Sequence, residues 1–463
     1  MYDVVLVAST LAYAALLVAW LTRPFASFMH PATLYLVLHF YLFVVRPIAA
    51  RIYDFDFIYR LFGFDPSVSD KITVIVGANI GLYAFVLATW SIANRPPTPH
   101  EVGETEDLRQ RVARPLLLVI GVLGPLAVWS ALSNWGRRAA AFDSMARSLS
   151  SGVQINLEGT GWFTDAALML APIAVLTVWA TRFRWFGWPV FIAFCVLQAG
   201  SGTRGPLVYA IVALITLWLI ERRRLWPDAR TLAVLGLSVL AFSAIVFDRG
   251  NAVREAFGGP SGNHFTAAQE LGPLEHMDFA NMEFFEFLVF AVPQRTGSYD
   301  YFAQNLQIFT EPVPRVLWRE KPVGAPVRFY DLWDYGRPIG ITGSMPGQGW
   351  VSLGYPGIVI QCGLFGLMFA LFYRQLLMRR HGAGARLIYV FLFANLVLCV
   401  RDGTLLTFVR TLPFYLGPVV LALLGARLFA LVPQPMSNPG AIDYATPQER
   451  RRALAQGLPL QKP

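Results

Sequence analysis

Residues 71–93 read KITVIVGANIGLYAFVLATWSIA. The only charge, Lys71, stands at the first position, and the other residues are apolar, small or weakly polar. At 1.5 Å of rise per residue, a helix of this length crosses the ~30 Å hydrocarbon core of a bilayer. A membrane barrel would instead show short segments of alternating hydrophobicity. Similar blocks recur on both sides, at 4–22, 31–50, 115–135, 162–181, 186–201, 204–220, 231–248, 354–373, 387–401 and 404–425. Arg401-Asp402-Gly403 separates the last two, which predicts a hairpin there. The chain of 463 residues is 55% hydrophobic and only 14% charged, where a soluble chain carries roughly a quarter charged residues. Its mean hydropathy is +0.49. These features exclude an ordinary soluble protein and predict an all-α polytopic membrane protein with about eleven transmembrane helices.

The basic residues predict the orientation. With the N-terminus outside, Arg222-Arg223-Arg224, Arg379-Arg380 and Arg450-Arg451-Arg452 all fall on the cytoplasmic side, as the positive-inside bias requires. The net charge of +9 is then mostly topology. Basic clusters that hug span ends do not form the single face that nucleic acid needs, so no nucleic-acid partner is expected. MYDVVLVAST at the start has no basic n-region, so no cleaved signal peptide is read there. The three cysteines, Cys195, Cys362 and Cys399, fall in spans and have neither disulfide nor zinc spacing.

The expected organisation is membrane helices one to eight over 1–248, a large outer loop over 249–353, helices nine to eleven over 354–432, and a disordered cytoplasmic tail over 433–463. The segment 95–114, of mixed charge, reads as a solvated cytoplasmic connection. The loop of 249–353 exceeds the length tolerated for structureless connections, which marks a functional subdomain. Within it, 274–294 reads as an amphipathic helix lying at the membrane surface, with Glu275, Asp278, Glu283 and Glu286 on one side. Residues 297–309 read as a second short helix.

Candidate chemistry gathers on the expected outer face. In GSGTRGPL (200–207), Arg204 stands between two spans beside a helix N-terminus, and the two together attract an anion. Arg249, Arg254, Arg295, Arg315, Arg319, Lys321 and Arg401 converge on the same side, with Arg410 near them. Arginine binds phosphate bidentately and keeps its charge, so a lipid-linked diphosphate is the anion expected. In VPRVLWREKP (313–322), prolines at 312, 314 and 322 restrict the backbone and order Arg315, Arg319 and Lys321. The acid–base candidates are His264, His276, Glu283, Glu286, Asp331 and Asp334, and nothing in their spacing selects among them. Trp318, Tyr330, Trp333 and Trp350 are candidate sugar contacts. Asp54-Phe55-Asp56 matches a short acidic pattern of metal-dependent glycosyltransferases, but three residues are a weak signal and no metal is expected. Neither a Walker motif nor a dinucleotide fingerprint is present, and no cofactor is expected.

GSGTRG closing one span and opening the next, then a large outer loop, VPRVLWREKP, and GQGWVSLGYPGIVIQCGLFG (347–366) together resemble the O-antigen polymerase, or oligosaccharide repeat-unit polymerase, family. The likeness covers roughly residues 200–366. Thr203 stands before Arg204 where members typically carry Ser, and Gln348 stands where many carry an acid. The resemblance implies a GT-C-like helical core. It implies transfer of a growing glycan from undecaprenyl diphosphate to a lipid-linked repeat unit, without a metal, at the periplasmic face of a bacterial inner membrane. It also implies Arg204 and Arg315 as the matched catalytic positions, with Arg319 and Lys321 beside them. The partners implied are undecaprenyl-diphosphate-linked oligosaccharides, membrane lipids, a chain-length regulator and a flippase. Two other readings stay open: an O-antigen ligase-like transferase, and a transporter or flippase of lipid-linked glycans. Against the last stand the lack of visible repeats and the few mid-span charges.

Overall fold

The computed structural model describes residues 1–98, 102–151, 161–202, 204–233, 236–237, 251–258, 275, 280–310, 313, 317–318, 342–379 and 382–431. Every regular element among them is helical. Among these residues nine helices are long and apolar enough to span a membrane. They are α1 (Tyr2–Leu21), α2 (Pro31–Ile52), α4 (Val68–Ile92), α5 (Val102–Ser151), α6 (Trp162–Ala180), α8 (Gly205–Arg222), α12 (Ser344–Tyr373), α13 (Ala383–Asp402) and α14 (Leu405–Leu431). Short helices lie between them: α3 (Phe57–Phe62), α7 (Trp188–Ser201), α9 (Asn251–Ala256), α10 (Asn281–Ala291) and α11 (Ala303–Leu306). The expected sixth span is α7, an apolar helix shorter than the rest. Most of the expected eighth, 231–248, lies outside the described residues, as does the tail from 433.

Helix α4, which holds the apolar run of 71–93, sits at the centre. It packs along α12 and also touches α1, α2 and α10. The reason lies in its small residues. A Cβ on Gly77 would stand 2.9 Å from Ile358 Cδ1, and one on Gly81 would stand 2.9 Å from Cys362 Sγ. Glycines four residues apart let the two helices approach closely, the usual way that apolar helices associate where the hydrophobic effect is weak.

Helix α12 is broken at Leu353 and Gly354, where the backbone leaves helical geometry. Its first arm folds back on the second so tightly that a Cβ on Gly349 would meet the Ile358 Cα at 2.6 Å. The arm therefore re-enters the bundle. Gln361, about 10 Å along the second arm from the break, donates to the Gly403 carbonyl at 2.6 Å in the turn between α13 and α14. That turn is the hairpin expected at Arg401-Asp402-Gly403.

The two ends of the bundle are distinct. Tyr2, Ile52, Val68, Gly205 and Asp402 mark one, the Tyr2 end; Arg51 reaches Asp3 across it at 2.9 Å. Leu21, Ile92, Arg222 and Ala383 mark the other, the Leu21 end, where the Phe28 amide donates to the Leu225 carbonyl.

Two expectations are corrected. The segment 95–114 is not a loop throughout, because α5 begins at Val102. Glu106–Arg109 and Asp107–Arg111 pairs, three and four residues apart, support that helix. The described part of the segment 274–294 does not lie on a membrane surface. Its helix α10 is buried on every side except at Phe290, packed on α4 and α12. Its Glu283 and Glu286 meet Arg46 and Tyr59 inside the protein, so they do not mark a water-facing side.

Candidate functional site

The site begins with an arginine inside a span. The apolar run of α2 is interrupted by Arg46-Pro47. Pro47 supplies no N–H to close the regular turn ahead of it, and residues Phe40–Val45 form a wider π turn, a feature frequent at functional sites. Arg46 is 3% exposed. Its Nε and Nη2 both meet Glu283 Oε1 of α10, at 2.8 and 2.7 Å, and its guanidinium lies 4.6 Å over the Phe55 ring.

One turn further along α10 is Glu286, also buried. Its Oε2 accepts a hydrogen bond from the Tyr59 hydroxyl at 2.5 Å. Lys71 Nζ sits 4.7 Å over the Tyr59 ring. Burial, and then the neighbouring Glu283 charge, push the Glu286 carboxyl up to about 8. Burial and the Glu286 charge push the Tyr59 hydroxyl upward as well. At neutral pH the Glu286 carboxyl is therefore mostly protonated.

Two more arginines arrive from other spans. Gly202, at φ +64°, ends α7 in a left-handed turn, and Arg204 takes the N-cap position of α8. Arg401, in the last turn of α13, lies against the start of that helix: a Cβ on Gly205 would be 3.6 Å from Arg401 Nη1. Arg401 is 3.8 Å from Asp402 and its side chain is 41% exposed, so it remains accessible. Tyr41 of α2 lies within the electrostatic reach of both Arg46 and Arg204. Asn281, at the start of α10, donates to the carbonyls of Thr342 and Arg401 at 2.8 and 3.0 Å, which ties α10 to this corner. Arg204 and Arg401 thus meet at the start of α8, where the positive end of the helix dipole lies, and Arg46 acts on the same tyrosine as Arg204. Chemically, the region is suited to holding an anion beside one oriented carboxylate and one protonated acid.

The other sequence candidates divide. Arg254 is buried and donates to the Gly200 carbonyl at 2.6 Å, tying α9 to the end of α7. Arg295 stacks 3.4 Å from the Phe290 ring centre and donates to that residue's carbonyl. Arg410 pairs with Asp165 at 2.6 Å. Trp318 is half-exposed. Trp350 is not open to a sugar: it is 8% exposed, donates to the Val292 carbonyl at 2.8 Å, and meets the Tyr355 ring edge-on. Asp54 is exposed, and Asp56 pairs with Arg60 at 2.9 Å. Glu275 accepts from the amides of Asp56 and Phe57 at 2.9 and 2.7 Å, capping α3. Among the described residues no group of three His, Cys, Asp or Glu is placed to hold a metal. Arg249, Arg315, Arg319, Lys321, His264, His276, Tyr330, Trp333, Asp331 and Asp334 lie outside the described residues.

Sequence reasoning missed Arg46, Tyr59 and Lys71. The available signal was Arg46-Pro47 itself, a charge within an otherwise apolar span, which is a functional hypothesis by default. No protein-family model, characterised protein or solved structure matches the chain.

Proposed function

We propose that this chain is a membrane glycosyltransferase of the polysaccharide-polymerase kind, moving a growing glycan from undecaprenyl diphosphate onto a lipid-linked repeat unit at the outer face of a bacterial inner membrane. The observation that carries the reading is the approach of Arg204 and Arg401 at the N-terminus of α8, with Arg46 acting on the same tyrosine as Arg204. A lipid diphosphate fits such a place. Its tail partitions between helices and its headgroup meets fixed positive charge at the bundle end. As the glycosidic bond breaks, charge grows on the departing diphosphate. Preplaced arginines stabilise that charge without reorganising, an effect worth about 100-fold or more in rate per donor in comparable sites. The motifs around Arg204 and Arg315 support the same reading.

The test replaces Arg204 or Arg315 with Ala in cells that make the polymer and compares glycan chain length at equal protein level. Short chains are expected. Normal long chains in both variants would overturn the proposal. Running the same variants with a purified acceptor separates a polymerase, which extends lipid-linked repeat units, from a ligase, which transfers to a different lipid or protein. Movement of the lipid-linked glycan across liposomes with no change in its structure would favour a transporter.

A further inference from the structure

Resting on the transferase reading, we propose that Glu283 is the general base of the reaction, with Arg46 as its positioning residue. The geometry distinguishes the two carboxylates of α10. Arg46 uses both Nε and Nη2 on one oxygen of Glu283, Oε1. The other oxygen, Oε2, accepts no hydrogen bond among the described residues although it is buried. A carboxylate anchored through one oxygen retains its full acceptor capacity on the second. Glu286 differs in its charge partner: its Oε2 accepts from the Tyr59 hydroxyl and not from an arginine. Two carboxyl groups one turn apart in different surroundings divide the acid and base roles between them, and burial keeps Glu286 as the protonated one. Around Glu286 stand Glu283 of α10, Arg46 of α2, Tyr2 of α1, Tyr59 of α3 and Lys71 of α4. The location fits the chemistry, because Arg46 and Arg204 both lie near Tyr41.

In the step itself, the acceptor sugar's hydroxyl oxygen bonds to the anomeric carbon of the donor. The bond from that carbon to the diphosphate oxygen breaks, and its electron pair leaves with the lipid diphosphate, which Arg204 and Arg401 receive. The acceptor's proton passes to Glu283 Oε2. Proton transfer of this kind contributes roughly 100- to 10,000-fold.

The experiment uses purified full-length protein in vesicles with lipid-linked repeat units as substrate. Transfer rates are measured across pH for the wild type, Glu283→Gln, Glu283→Asp and Arg46→Lys, alongside binding of undecaprenyl diphosphate. Glu283→Gln is expected to bind the diphosphate with an affinity near wild type, to lose at least about 100-fold in rate, and to lose the acidic limb of the rate–pH profile. Glu283→Asp is expected to recover part of the rate with that limb restored. Arg46→Lys is expected to lower kcat while the limb remains. A Glu283→Gln protein that keeps the wild-type rate and profile overturns the assignment alone. So does one that loses rate and diphosphate binding together, since that marks a structural role. A wild-type protein that binds the diphosphate but transfers nothing overturns the transferase reading, and the assignment falls with it.

Discussion

The two ends of the bundle use charge in opposite ways. At the Leu21 end, Arg109 meets both Glu106 and Glu221, Arg182 meets Glu106, and Arg386 stands 3.6 Å from Glu104. Those pairs join α5 to α8, α13 and the residues just past α6, and each of those carboxylates has a cation. At the Tyr2 end, cations from three spans crowd one region while one of two buried carboxyl groups is protonated. The first pattern clamps helices. The second gathers arginines from different spans, Arg46 on Glu283 and Arg401 beside Asp402 and the start of α8. The count of intramembrane charges is therefore less informative than where they gather.

The largest stability effect should separate the ends. Arg46→Met strands the buried Glu283 carboxylate, and a buried pair broken on one side typically loses about 3–5 kcal/mol. The double variant Arg46→Met/Glu283→Met should recover most of that. Arg109→Met should cost less, about 1–2 kcal/mol, because Glu106 keeps Arg182 and Glu221 is partly exposed. Thermal midpoints in detergent rank the three. Equal losses for Arg46→Met and Arg109→Met would erase the distinction drawn between the ends.

Two glycines of α13 and its turn give the next contrast. Gly403, at φ +80°, would place a Cβ 2.2 Å from the Ser344 carbonyl oxygen. Gly403→Ala should therefore destabilise by about 1–3 kcal/mol, from overpacking and backbone strain together. Gly384, at the other end of the same helix, has only Leu423 near it, at 3.6 Å. Gly384→Ala should be neutral or stabilising, by up to about 1 kcal/mol. A single denaturation series on both variants checks the sign.

The last contrast concerns pH. Glu286 is raised from the ordinary 4.5 to about 8 in the folded chain. Its folded form thus binds more protons than its unfolded form across that window. The stability it contributes is complete below the unfolded value and is lost as pH rises through about 8. Glu286→Gln, which stays neutral, should flatten the decline in thermal midpoint between the ordinary 4.5 and about 8 while changing the midpoint little below that window. A decline of unchanged slope in this variant would mean that another group titrates.

Much of the fold was legible because lipid imposes a length on apolar helices. KITVIVGANIGLYAFVLATWSIA reads as a span without knowledge of its neighbours, and Arg401-Asp402-Gly403 reads as a hairpin because a charged pair and a glycine cannot continue an apolar helix at no cost. The burial of α10 was not legible. Its Glu283 and Glu286 look like the wet face of a surface helix until Arg46 and Tyr59, more than 200 residues away in sequence, are known to meet them. The same distance hid Arg46. Hydropathy averages a single arginine into its span, and only the partner reveals its use. Arg204 was legible because turn, charge and helix start are adjacent in the chain. For Arg401, the sequence placed it at a span end, and its approach to Gly205 needed the fold.

The most direct test of the proposed transfer is glycan synthesis by the purified, reconstituted protein supplied with undecaprenyl-diphosphate-linked repeat units, comparing wild type, Arg204→Ala and Arg109→Met at equal folded amount. The expected result is a ladder of polymer lengths from wild type and from Arg109→Met, and at least about 100-fold less product from Arg204→Ala. Unextended repeat units from the wild type, or the same ladder from Arg204→Ala, would contradict it.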